Sequence, residues 1–104
     1  MTHKTLFDLL KTLNIPVAYD HFEDNKNISP PFIAYREVKR DSFFADGINY
    51  YNSNNFEIEL VTEKKDIMLQ QSIEELLTTN KIPYEVDDEI WDKEEKIYHN
   101  FYEI

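Results

Sequence analysis

Residues 56–60, with the sequence FEIEL, alternate apolar and acidic side chains at every position. Successive side chains of a β-strand point to opposite faces of a sheet, so this period of two predicts a strand with one buried and one exposed face. Such a strand needs partner strands and a second layer that covers its apolar side. The segment therefore requires a sheet that is covered on one face.

Other segments supply the partner strands. Residues 32–38 follow two prolines and are rich in β-forming residues, and residues 17–22 form a weaker candidate. Residues 97–104 follow a polar turn at 92–96, and we expect them to pair with residues 84–91 as a hairpin. The pattern leaves the buried face of the last strand open.

The first strand of this hairpin is strongly acidic. Alternation places Glu85, Asp87 and Glu89 on one predicted face and Val86 and Ile90 on the other, and only the residue at 88 breaks the pattern. Glu57 and Glu59 form a similar series in the FEIEL strand. Such faces could hold a hard cation or carry out acid and base chemistry, but a solvated outer face explains them as well.

Two leucine-rich stripes predict amphipathic helices. Their apolar residues recur at the spacing of one helical face. The first stripe comprises Leu6, Leu9, Leu10 and Leu13, and the second comprises Leu69, Ile73, Leu76 and Leu77. Thr2 or Thr5 could cap the first helix and Asp66 the second, which we expect to stop near Asn80.

The two helix ends resemble each other. Residues 9–17 (LLKTLNIPV) and 76–84 (LLTTNKIPY) share two leucines, a threonine and an Ile-Pro pair. Proline cannot continue a helix and biases the preceding residue toward extended geometry, so each half is expected to run from helix through Ile-Pro into a strand. Chance similarity between two helix stops is the alternative.

These elements predict one α+β domain over residues 1–104. The expected architecture is a two-layer sandwich, in which two helices cover one face of a mostly antiparallel sheet of four to five strands. The expected order is α-β-β-β-α-β-β. A chain of 104 residues is long enough for a single core.

The charge balance restricts the partners. There are 21 Asp and Glu residues against 11 Lys and Arg residues, which gives a formal net charge of −10. Such a surface repels phosphate backbones and anionic lipids, so we expect neither direct nucleic-acid binding nor membrane binding. No stretch is apolar enough for a signal peptide or a membrane span, which predicts a cytoplasmic, soluble protein.

Signatures of catalysis and of ligand binding are missing from the sequence. There is no cysteine, and the single glycine, Gly47, cannot build a phosphate-binding loop. The histidines at 3, 21 and 99 have no metal-ligand spacing, and the serines lie in no nucleophile motif. We therefore expect no enzyme, no cofactor and no metal site.

Residues 41–55 are predicted to form a long aromatic loop or extension. The segment carries four large aromatic side chains, which argue against disorder: Phe43, Phe44, Tyr50 and Tyr51. Tyrosine is enriched at interfaces because it buries a large area while its hydroxyl stays hydrogen-bonded. These four residues are the candidate protein-protein interface, and the alternative is a loop folded back over its own sheet.

Several stretches resemble a known family. They are IPVAYDHF at 15–22, PPFIAY at 30–35, residues 43–66, IEELL at 73–77, IPYE at 82–85 and IYHNFYEI at 97–104. The pattern, which extends from Leu9 to Ile104, is similar to the tail completion proteins of long-tailed bacteriophages and prophages of Gram-positive bacteria, of the tail-terminator or head-tail joining type. None of these stretches is a chemical motif, so the likeness is one of structural positions.

The resemblance implies a non-catalytic assembly protein with an α+β fold of a sheet and two helices. Proteins of this kind form a ring, commonly hexameric, that caps the tail tube and joins it to the head. The implied partners are further copies of the chain, the major tail-tube protein and the head-tail connector proteins. DNA passes through such a ring, and the implied locations are the host cytoplasm during assembly and then the virion.

An acidic inhibitor that mimics DNA is the alternative function, with a basic nucleic-acid-binding protein as its partner. Mimicry requires carboxylates on one continuous surface, spaced like backbone phosphates. The sequence instead mixes acids with lysines, as in EKKD at 63–66 and DKEEK at 92–96. This mixing favours the assembly role.

Overall fold

The computed structural model describes residues 2–20, 28–38 and 55–104. Its elements follow the predicted order, and their bounds are α1 His3–Lys11, β1 Val17–Tyr19, β2 Phe32–Val38, β3 Asn55–Thr62, α2 Ile67–Thr79, β4 Glu85–Asp92 and β5 Ile97–Glu103. The β2 bounds match the prediction, whereas β1 is shorter than residues 17–22. It ends at Tyr19 because Asp20 takes a φ of 67°, outside the extended region.

The five strands form one sheet in the order β1-β2-β3-β5-β4. The pair β1 and β2 is parallel, and all other neighbours are antiparallel. This confirms the mostly antiparallel α+β sheet. The FEIEL segment lies in β3, at the centre of the sheet, and the predicted hairpin of β4 and β5 forms one side of it.

Both helices pack on the same face of the sheet. Leu6 and Leu10 of α1 and Ile73 and Leu77 of α2 are fully buried. They join a single hydrophobic cluster with alternate residues of the strands, which include Ile33, Tyr35, Phe56, Ile58, Leu60 and Tyr102. Burying each large apolar side chain contributes about 1.5–3 kcal/mol to folding, so this face holds the two layers together.

The sheet also decides which face of β5 is buried. Tyr102 pairs with Ile58, and Asn100 pairs with Leu60, so both lie on the helix-covered face. Tyr102 is 1% exposed and Asn100 is 6% exposed. His99 and Phe101 consequently point to the opposite face.

Side chains cap both helices at their first turns. The Thr5 backbone N–H donates to Thr2 Oγ1 at 3.2 Å, so Thr2 is the cap of α1. The Leu69 N–H donates to Asp66 Oδ1 at 3.0 Å at the start of α2, which confirms the predicted cap. Each oxygen satisfies one of the amides that a helix leaves without an internal partner.

The similarity between the two helix ends extends to the backbone. Asn14 and Lys81, which occupy equivalent positions in the repeated pattern, have positive φ angles of 61° and 58°. Their N–H groups donate to the carbonyls of Lys11 and Thr78, three residues earlier in each case. The isoleucine that follows each of them packs against the core. Both helices therefore end in a left-handed residue that directs Ile-Pro toward the sheet.

Replacing Lys81 with glycine is expected to stabilise the protein by about 0.5–1 kcal/mol. The left-handed conformation costs about 1–2 kcal/mol for a residue with a Cβ, and glycine removes this cost. Glycine also increases the conformational entropy of the unfolded chain, which destabilises the fold by a smaller amount. Urea unfolding followed by circular dichroism measures the change. Glu75→Gly, at an exposed site within α2, is the control and should destabilise by about 1 kcal/mol. Destabilisation by Lys81→Gly would contradict this account of the helix end.

Candidate interaction surface

The aromatic residues predicted to form an interface cannot be placed. Phe43, Phe44, Tyr50 and Tyr51 lie outside the described residues, and only Asn55 of the 41–55 segment is described, as the first residue of β3. Their role in a protein contact therefore stays a prediction.

The face of the sheet opposite the helices, here called the distal face, pairs two glutamates with an arginine and a histidine. Arg36 Nη2 lies 2.8 Å from Glu57 Oε1, and Arg36 Nε donates to the same oxygen at 3.0 Å. Glu59 Oε2 lies 2.5 Å from His99 Nδ1 across the β3–β5 pair. Glu57 and Glu59 thus share a face as predicted, and each has a basic partner.

A depression of about 250 Å³ lies between these pairs. Its lining includes Asp20, Arg36, Glu57, Glu59 and Phe101. A histidine held by a carboxylate is one part of a general-base arrangement, which also needs a nucleophile within reach. Ser72 is not placed as this nucleophile, because it lies on α2, on the other face of the sheet, and its hydroxyl donates to the Met68 carbonyl.

Within residues 2–20, 28–38 and 55–104, no group of three or more acidic, His or Cys side chains is arranged to hold a metal ion.

Glu74 of α2 connects the helix to the sheet. It accepts hydrogen bonds from the Tyr84 hydroxyl at 3.3 Å and from the Tyr102 hydroxyl at 3.2 Å, one on each carboxylate oxygen. Burial raises the pKa of the Tyr102 hydroxyl well above its usual range, and the adjacent Glu74 charge raises it further. The sequence gives no sign of this contact, because Glu74 lies on a helix and its partners lie on distant segments.

The stability of the fold is expected to decrease above about pH 10, the usual pKa of tyrosine. Because folding raises the pKa of Tyr102, its contribution is complete below the unfolded pKa and is lost as the pH rises toward the folded one. Between the unfolded and the folded pKa, one such group lowers the free energy of unfolding by about 1.4 kcal/mol per pH unit. Urea midpoints between pH 9 and 11 measure it. Tyr102→Phe should flatten this dependence, and equal slopes in the two proteins would contradict the assignment.

The prediction that Glu85, Asp87 and Glu89 share one face of β4 is wrong. Glu85 pairs with Glu103 on the distal face, whereas Glu89 pairs with Asn100 on the helix-covered face. The register shifts between Val86 and Glu89, which is a β-bulge or a similar irregularity. An extra residue in one strand reverses the alternation beyond it, so acids spaced two apart in sequence separate.

Strand β4 also lacks the buried face that its sequence predicts. It is the outermost strand beside β5, and all its residues except Asp92 are exposed. Val86 is 62% exposed and Trp91 is 43% exposed, although their pairing partners Tyr102 and Tyr98 lie on the helix-covered face. The two helices thus leave the outer edge of the sheet uncovered by described residues.

Exposed apolar side chains concentrate near this edge. Of the six large hydrophobic residues that the described ranges expose, five belong to β4 and the first turn of α2: Ile67, Met68, Val86, Ile90 and Trp91. Glu89 joins the two elements, since Lys65 Nζ lies 3.2 Å from it and the Gln70 side chain donates to it at 3.4 Å. The three that belong to β4, with Val86 and Trp91 on the helix-covered face and Ile90 on the distal face, are called the β4 patch below. Exposed apolar side chains along a strand edge make that edge a candidate contact site.

Taken together, the fold and this surface define an acidic two-layer α+β protein with a sheet edge that the described residues leave uncovered. Comparison with protein-family models and with curated proteins finds no match for the chain. None of the helices in the described part of the chain is long and apolar enough to cross a membrane.

Proposed function

We propose that the protein is a non-catalytic assembly protein that completes the tail tube of a long-tailed phage or prophage and joins it to the head. The observation that carries the proposal is the order α-β-β-β-α-β-β with both helices on one face of the sheet. It agrees with the α+β fold of a sheet and two helices that the resemblance from Leu9 to Ile104 implies. The proposal thus rests on the likeness in sequence and on the agreement in fold.

The β1 edge of the sheet is a candidate surface for a ring contact. A ring of identical copies uses heterologous contacts, in which each copy presents two different complementary surfaces. The β1 edge has three residues and includes the exposed Tyr19. The segment that carries Phe43, Phe44, Tyr50 and Tyr51 is a further candidate for the contact with a neighbouring copy or with the tail tube.

Charge makes ring formation dependent on salt. Copies with a net charge of −10 repel one another. The repulsion extends over about 10 Å at 0.1 M ionic strength but only over about 3 Å at 1 M, so added salt favours closure of the ring. We expect the isolated protein to be a monomer at low salt and to form a ring, commonly a hexamer, at high salt or on a tail tube. Light scattering from 0.05 to 1 M salt measures this mass.

Deleting the gene from the phage or prophage that encodes the chain tests the proposed function directly. Electron microscopy is expected to show tails of irregular length without heads, and the wild-type gene should restore complete virions. Normal particles in the deletion strain would refute the proposal. A pulldown that recovers a nuclease or a repressor instead of the tail-tube protein would favour the DNA-mimic alternative.

Substituting serine for Phe43, Phe44, Tyr50 and Tyr51 tests the predicted loop contact. We expect a folded protein that does not complement the deletion. Gln71→Ser, at an exposed site on α2 away from both sheet edges, is the control. If the fourfold variant forms rings and normal tails, the loop has no part in assembly.

A further inference from the structure

We propose that the outer edge of β4 binds an extended, basic segment of another protein, which pairs with β4 as a sixth strand of the sheet. The inference goes beyond the proposed function, because it assigns a surface and the chemistry of its partner. It does not depend on a role in tail assembly.

The backbone of β4 provides the first argument. In an antiparallel pair, alternate residues direct their N–H and C=O groups away from the partner strand. On β4 these groups point away from β5, and β4 ends the strand order in the described sheet. The ladder with β5 is regular over Glu89–Asp92, beyond the register shift. This regular part presents an edge that an added strand can extend.

The side chains of the β4 patch provide the second argument. Val86 and Trp91 lie on the helix-covered face, where Trp91 packs on Tyr98 with ring centroids 4.5 Å apart. Ile90 pairs with His99 and lies on the distal face. An added strand also alternates its side chains between the two faces, so its apolar residues can pack beside Trp91 or Ile90.

Charge determines which occupant fits this edge. The strand carries five acids, Glu85, Asp87, Asp88, Glu89 and Asp92, and no basic residue, and of the five Glu89 is paired with Lys65. A second copy paired through β4 would oppose these acids with its own, and like charges 4 Å apart cost about 1 kcal/mol per pair even in water. A strand that places lysine or arginine opposite these acids would instead gain about 0.2–1 kcal/mol per opposed pair. The edge therefore favours a basic partner over self-pairing.

A peptide of alternating lysine and valine is the first probe, and a peptide of alternating lysine and proline with the same charge is its control. Proline has no N–H group and cannot form a strand ladder. We expect the valine peptide to bind at least about tenfold more tightly, a difference of about 1.4 kcal/mol. Hydrogen exchange followed by mass spectrometry should show new protection of residues 85–92. Equal binding of both peptides, or protection confined to other residues, would overturn the proposal.

Paired variants of the protein separate the edge from general attraction by an acidic surface. Asp87→Asn with Asp88→Asn removes two charges from β4, and Glu63→Gln with Glu75→Gln removes two charges from exposed sites elsewhere. Val86→Ser with Trp91→Ser removes apolar side chains from the patch, and Tyr19→Ser is the matched control. We expect both β4 variants to lose at least about fivefold in affinity for the valine peptide, which is about 1 kcal/mol. Equal losses in the controls would overturn the assignment to β4.

Self-association is measured in the same samples without peptide. If the protein alone forms dimers or rings that protect residues 85–92, the occupant is a second copy and the proposal of a basic partner is wrong. That result would leave the proposed assembly function intact. Conversely, normal virions in the gene deletion would refute the assembly function without affecting peptide binding at β4.

Discussion

Phe56→Ala is expected to lower the free energy of unfolding by about 3–5 kcal/mol. Phe56 is fully buried in the central strand β3, and its ring lies 5.1 Å from the His3 ring and 6.3 Å from the Tyr35 ring between centroids. Truncation removes these contacts and leaves a cavity that the two packed layers cannot fully close. This loss is a large part of the total free energy of unfolding of a typical domain, which is about 5–15 kcal/mol.

Urea unfolding at pH 7, followed by circular dichroism, measures this effect. Val86→Ala is the matched control, because it also shortens an apolar side chain on a strand but at a site that is 62% exposed. It should change the free energy of unfolding by less than about 0.5 kcal/mol. A loss below about 1 kcal/mol for Phe56→Ala would mean that the residue is not in the core as described.

Glu74→Ala is expected to lower the free energy of unfolding by about 2–3 kcal/mol. It removes the acceptor of both tyrosine hydroxyls, and the Tyr102 hydroxyl would remain buried without its partner. Leaving a buried polar group unsatisfied costs about 1–3 kcal/mol. Glu74 thereby links α2 to Tyr84, just before β4, and to Tyr102 of β5.

Glu75→Ala, one position further along α2, is exposed and is expected to change stability by less than about 0.5 kcal/mol. Tyr102→Phe in the Glu74→Ala background removes the unsatisfied hydroxyl and should recover part of the loss. The double-mutant cycle then gives the coupling energy of the pair. Additive effects of the two substitutions would show that the hydroxyl and the carboxylate do not interact.

Periodicity located the elements because it reports a local property, the side of a strand or helix that is buried. The alternation in FEIEL and the leucine stripes specify β3, α1 and α2 without reference to any partner, and the caps at Thr2 and Asp66 follow from short-range hydrogen bonds. Even the shared helix ends are visible as the repeated Ile-Pro pattern. Each of these features depends on residues within a few positions of one another.

The candidate site could be predicted far less well. The acidic pattern of β4 was interpreted as one solvated face, but the register shift after Val86 places Glu85 and Glu89 on opposite faces. Likewise, the apolar residues of β4 were expected to be buried, and the sheet places them at its edge. The aromatic residues at 43, 44, 50 and 51 lie outside the described residues, so their role in contacts stays a prediction.

By itself, the sequence determined the order of the elements, the α+β class and the acidic charge, because composition and periodicity carry this information directly. Only the tertiary structure decided that β3 is central, that β5 buries Tyr102 and that β4 is the outermost strand beside β5 in the described part of the chain. The strand order depends on which distant segments pair, and a strand at the edge has the same local pattern as one in the middle. The candidate contact surface on β4 therefore follows from long-range strand pairing and not from the local sequence of the strand.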